Sequence, residues 1–206
     1  MGLLITIVIQ QSELKESRKE FKRSADALNE QSKSMKKQNF ENTLFQMLAL
    51  HNEIVNSIDL TNKETNVTTS GRDCFTVFYT RLARIYKKKV KASAGRDLPK
   101  VILAETYKPF WRVHQTELAH YFRYIYNVIR FIDESDFSDG PYIKLIRAQL
   151  SDSELFIMFY NSQTEQGKNF IHYIEKYSLF DNLPTMKLLN QSHKNLINQQ
   201  AFDSKI

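Results

Sequence analysis

An all-α fold is predicted by three observations. Glycine and proline are scarce, with five and four copies in 206 residues, which leaves few turns for a sandwich or barrel. Residues with good helix propensity (Leu, Lys, Glu, Gln) are plentiful. Apolar residues recur at helical spacing through most of the chain, and no stretch shows convincing strand alternation. The length fits one ordinary domain plus an appendage.

Residues 2–9, GLLITIVI, span about 12 Å as helix, short of a hydrocarbon core of about 30 Å. They read as the tail of a longer membrane helix, with Lys15, Arg18, Lys19, Lys22 and Arg23 following on the cytoplasmic side, or as an apolar helix end covered by a partner. Residues 10–38 are polar and lack Gly and Pro. Ile7, Leu14, Phe21, Leu28 and Met35 recur every seven residues, the seam of a helix that wants a partner. Arg18, Ala25 and Ser32 fill the alternate seam position, so the expected element is a stalk or weak coiled coil. It would either pair in a homo-oligomer or fold back on the rest.

From Phe40 the pattern thickens. Leu44, Phe45, Leu48, Ile54 and Val55 carry the helix into the core. His51 reads as a satisfied partner on the helix flank, since no second ligand lies near it in the pattern. Residues 59–71 form a polar loop. A second helix covers 72–91, with Phe75, Phe78, Leu82 and Ile85 inward. Residues 92–98 are a loop. Pro99 suits the first turn of a third helix, which runs to Ile132 with a bend at Pro109. Leu118, Phe122, Ile125, Ile129 and Ile132 form its stripe, and the tyrosines fill its flanks.

Residues 134–140 are loop, and Pro141 opens a fourth helix. Ser151 and Glu154 have the spacing of a capping box, so a break near Leu150 and a new helix to Asn161 follow. A short helix covers 169–176, Pro184 starts a last one toward Ile197, and 199–206 form a loose tail. The expected organisation is therefore 1–38 anchor remnant and stalk, 39–198 helical domain, and 199–206 tail.

The charge is +6 overall and unevenly placed. Arg81, Arg84, Lys87, Lys88, Lys89, Lys91, Arg96 and Lys100 crowd one segment, opposed only by Asp97. That run is either a solvated helix end or an anion footprint for nucleic acid or a membrane surface. Cys74 is the single cysteine, so no internal disulfide or multi-cysteine zinc site is possible. Its neighbours, FTVFY, mark it as a buried thiol, and a reducing, cytoplasmic setting fits. Glu117 and His120 form one Glu-x-x-His pair, where a carboxylate-bridged metal pair needs two plus further glutamates. No phosphate loop or nucleophile elbow exists. Helical ribonucleases of the HEPN type carry Arg, four to six residues, then His. Arg112 and His120 miss that window by one. No cofactor, metal or catalytic residue is implied.

Residues 142–161, YIKLIRAQLSDSELFIMFYN, embed charge in an apolar run. A charge so placed must be paired or solvated. Together with FENTLFQMLALHNEIV, Gly71-Arg72 at a helix start, LAHYFRYIYNVIRFID and IEKYSLFDNLP, this segment resembles the putative phage abortive infection proteins, the AbiC-like family, from about residue 10 to 184. RAQLSDSELFIMFYN is the most specific part. The resemblance implies phage defence by a membrane-anchored helical domain. Its partner would be a phage or host component. It transfers no catalytic residue. It singles out Arg72, Arg123, Arg147, Gln149, Glu154 and Asn161 as polar members of its motifs, either buried ties between helices or a recognition surface. The alternative activity is a nuclease or RNA-binding effector working through residues 81–100.

Overall fold

A computed structural model describes residues 2–93 and 98–203, except the side chains of residues 3, 4 and 8. Among these residues the chain is all-α apart from one small hairpin. Helix α1 runs Gly2–Asn56, followed by strands β1 (Asp59–Thr61) and β2 (Thr68–Ser70). Then come α2 (Asp73–Ser93), α3 (Pro99–Asp133), α4 (Tyr142–Gln149), α5 (Asp152–Ser162) and α6 (Ile171–Lys176). The chain divides into two units, Met1–Phe45 and Gln46–Ile206.

In the first unit the seven-residue seam is solvent-facing. Ile7, Leu14, Phe21, Leu28 and Met35 are all exposed, Phe21 at 78%. Spaced i,i+3 and i,i+4 ion pairs such as Arg23–Glu20 and Lys37–Glu41 run along the same helix and support it locally. Among the described residues no helix is long and apolar enough to cross a membrane.

The second unit is built on α2, which packs against both α3 and α5. Aromatic rings hold these helices at van der Waals range. Phe75 meets Tyr121 at 4.7 Å between ring centres, Phe78 meets His114 at 5.0 Å, and Tyr79 stacks on Phe156 at 4.5 Å. Each such pair adds about 0.5–1.5 kcal/mol beyond its buried area. Helix α5 is buried on every side from Glu154 to Ser162, which explains why its sequence is apolar all round instead of amphipathic. The expected α3 stripe is fully inside: Leu118, Phe122, Ile125, Ile129 and Ile132 are buried. Pro109 lies within α3, and Pro99 opens it, where a missing N–H costs nothing.

Five expectations are corrected. Residues 59–71 hold an antiparallel hairpin, with Leu60 opposite Thr69. Three-residue strands rich in threonine are too short to show alternation. Phe45 is exposed at 53%, and Tyr86 takes the inward place expected for Ile85. No α-helix follows Pro184. That segment makes 3₁₀ turns at Thr185–Lys187 and Gln191–Leu196, because Asn190 spends its side chain on the Ser192 N–H at 2.9 Å and caps a short turn. The tail is seated as far as Phe202. Ala201 and Phe202 are buried, and Phe180 N–H donates to the Ala201 carbonyl at 2.9 Å. Arg96, Asp97 and residues 204–206 lie outside the described residues.

The C-terminal turns are pinned by a buried imidazole. His193 sits between the hydroxyls of Tyr86 and Tyr160, at 3.2 Å from each. The Tyr160 hydroxyl also accepts from the Leu189 N–H at 2.8 Å. Burial lowers His193 to about 4, so the ring is neutral and offers one donor and one acceptor to the two phenols.

Candidate functional site

Gly71 sets the geometry of the most connected polar site. Its φ of +65° is a left-handed turn that suits glycine, and it delivers Arg72 to the start of α2. The Arg72 guanidinium then reaches three segments. Its Nη1 donates to the Gln149 carbonyl at 2.8 Å, its Nη2 to Asn52 Oδ1 at 3.3 Å, and its Nε lies 3.4 Å from Glu154 Oε2. The end of α1, the end of α4 and the start of α5 are thereby joined.

Glu154 is fully buried and completes the expected capping box. Its N–H donates to Ser151 Oγ at 3.3 Å, while its Oε2 accepts from the Ser151 N–H at 2.9 Å and from Ser151 Oγ at 2.7 Å. Tyr121 donates to Oε1 at 3.3 Å. Burial and the facing carboxylate push the Tyr121 phenol well above its usual value, so it stays a donor. The carboxylate is thus paired and hydrogen-bonded, the condition under which a buried charge is tolerated.

His51 adjoins this node, its ring 5.5 Å from Tyr121. It is 1% exposed, and among the described residues neither ring nitrogen has a hydrogen-bond partner. The satisfied flank residue expected from the sequence is therefore a buried, unsatisfied one. Burial and the Arg72 charge lower it to about 4, leaving a neutral ring.

The six motif residues do not form one cluster. Arg72, Gln149 and Glu154 converge, although Gln149 contributes its backbone carbonyl and its side-chain Oε1 has no partner among the described residues. Arg147 donates to the Ser178 carbonyl at 3.2 Å and sits 3.6 Å from Asp181. It lines a depression of about 390 Å³ with Lys144, Glu175 and Lys176. Arg123 is exposed on α3, its Nε on its own helix at the Ala119 carbonyl, 3.2 Å away. Asn161 is buried and donates to the Tyr107 hydroxyl at 2.8 Å. Arg123 and Asn161 share a smaller depression, about 300 Å³, with Phe122, Tyr126 and Phe170. The sequence reading missed Asn52 and Ser178 as partners. Neither carries a local signal, since each acts through a residue far along the chain.

The basic run lies on α2. At 100° per residue, Arg81, Arg84, Lys87, Lys88 and Lys91 fall within one third of the helix circumference. Lys89 points elsewhere and is tied to Glu105 at 3.2 Å. Cys74 is buried, its thiol donating to the Ile58 and Thr69 carbonyls at 3.3 and 3.1 Å, and burial raises its pKa. Among the described residues no group of three or more His, Cys, Asp or Glu is placed to hold a metal.

No curated protein and no solved structure matches the chain. A family model does match, over a shorter stretch than the resemblance read from the motifs. The match takes in the second half of α3 and all of α4, α5 and α6, and with them Arg123, Arg147, Gln149, Glu154 and Asn161, while Arg72 lies outside it. Over residues 113–188 the chain carries the pattern of the family described as putative phage abortive infection protein.

Proposed function

We propose that this chain is a defence module that limits phage infection by binding a phage or host component, rather than by a reaction of its own. The observation that carries this reading is the family match over 113–188, in a segment where the buried Glu154 and Asn161 are already engaged by other groups of the protein. Glu154 serves Ser151, Tyr121 and Arg72. Asn161 serves Tyr107. Both are held in place by other groups, as packing ties are. Helix α1 would add self-association, because a seven-residue apolar seam left in water is covered favourably by a second copy of itself.

The test is plating efficiency. A bacterial host expressing the chain is challenged with a panel of unrelated phages beside an empty-vector host. Reduced plaque formation by at least one phage is expected. Equal plaque counts across the panel would refute the defence role. A second reading, binding of nucleic acid, is favoured by the basic face of α2.

A further inference from the structure

A recess of about 690 Å³ lies between the hairpin and the outer face of α2. One wall is the hairpin turn, with Thr61, Asn62, Lys63 and Thr65. The other is α2, with Thr76, Thr80, Arg81 and Arg84. Three cations meet there against one acid, Glu64. The turn has a fixed shape: Asn62 Oδ1 accepts the Glu64 N–H at 2.9 Å, and the Asn62 carbonyl accepts the Asn66 N–H at 2.8 Å. Thr61 and Thr68 are bonded across the strands at 3.0 Å. Lys63 is therefore carried on a braced turn.

The basic surface does not end at Arg84. The same α2 face continues through Lys87, Lys88 and Lys91, all exposed. From Arg81 to Lys91 is about 15 Å along the helix. Among the described residues, none of Lys63, Arg81, Arg84, Lys87, Lys88 and Lys91 has an acidic partner within 4.0 Å. A row of unpaired cations that starts in a hydroxyl-lined groove and runs on along a helix suits a linear polyanion. A flat bilayer reaches the ridge but not the recess. A duplex, with its wide, rigid cross-section, cannot enter between turn and helix.

We propose that this groove and the α2 ridge bind single-stranded nucleic acid through its phosphodiester backbone. Lys63, Arg81 and Arg84 take the phosphates in the groove, and Lys87, Lys88 and Lys91 take the strand as it leaves. The groove hydroxyls and the Asn62 side chain contact sugar and phosphate oxygens. No aromatic side chain lines the groove to stack a base, and the contacts assigned are to the backbone, so sequence preference is weak. This deepens the binding-module reading by naming the class of partner, and rests on that reading only for its biological role.

The experiment uses the full chain and fluorescein-labelled 15-nucleotide oligo(U), oligo(dT) and a 15-base-pair duplex, read by anisotropy across a salt series. At least one single strand is expected to bind more tightly than the duplex, with affinity falling steeply as salt rises. R81Q/R84Q should weaken binding tenfold or more and lower the salt slope by about 1.4, roughly 0.7 per lost phosphate contact. K63Q/R84Q, which leaves half-buried Arg81 in place, should do the same if the fold of the first variant is disturbed. K15Q/K19Q on α1 removes equal charge and should change little. No binding, tighter duplex binding, or equal loss in K15Q/K19Q would overturn the proposal. The plating assay separates the two readings. Wild-type chain that binds oligonucleotide but gives no protection refutes the defence role and leaves this site standing.

Discussion

Removing Arg72 while keeping its bulk, by Arg72→Met, strands the Glu154 carboxylate inside the protein with only Ser151 and Tyr121 as donors. Breaking a fully buried ion pair from one side costs about 3–5 kcal/mol. Here one partner is fully buried but the Arg72 side chain is 41% exposed, so water screens its share and the expected cost falls to about 2–3 kcal/mol. The loss of the donations to Gln149 and Asn52 is contained in that figure. Glu154→Gln keeps the shape and one acceptor oxygen, yet it loses the charge facing Arg72 and puts an NH2 where Oε1 accepts from Tyr121, and about 2–3 kcal/mol is again expected. Because the two changes remove one shared interaction, the double variant should cost less than their sum, by about 1–2 kcal/mol. Urea unfolding followed by helical circular dichroism measures all three, with midpoints displaced by about 1 M or more for each single change. Single effects below about 0.5 kcal/mol that simply add would show that this node does not hold the helices together.

Acid should weaken the fold before carboxylates titrate. His51, His114 and His193 are held at about 4 by burial, helped at His51 by Arg72 and at His114 by Arg81. The unfolded chain takes up protons below about 6.5 while the folded chain refuses them until about 4. Stability is therefore full above pH 6.5 and falls as pH drops toward 4, by up to about 1.4 kcal/mol per unit for each ring. A flat urea midpoint from pH 6.5 to 4.5 would contradict this. Gly167→Ala should lower the melting temperature by roughly 4–10 °C, since the new Cβ would fall 2.2 Å from the Asn161 carbonyl oxygen and Asn161 is locked to Tyr107. An unchanged melting temperature would mean that this turn gives way easily. Light scattering on the full chain should show more than one copy per particle, and F21K/L28K should reduce it to monomer with its helix content retained. A monomeric wild type would rule out the seam as an interface.

Long helices were legible because amphipathic spacing is repeated often enough to outweigh noise, as in the Leu118–Ile132 stripe. The start of α5 was legible from two residues, Ser151 and Glu154, since a capping box is a local device. The hairpin was not, because its stability comes from Cys74 and Gly71 reaching back to Ile58, bonds between segments with no periodic signature. The C-terminal turns were hidden for the same reason. Tyr86, Tyr160 and His193 are far apart in the chain and meet only once it is folded. Among the motif residues, an apolar setting announced that Arg147 and Glu154 would be sheltered but not by whom. Arg72 took Glu154, whereas Arg147 turned to Ser178 and Asp181.

The Glu154 carboxylate has an inheritance of its own. Its oxygens are divided among groups drawn from positions 72, 121 and 151, so no one of these letters can change freely while the others stay. Relatives that lose the acid should lose the guanidinium and the phenol alongside it, leaving a correlated trio that marks descent even where the surrounding apolar letters have drifted beyond alignment.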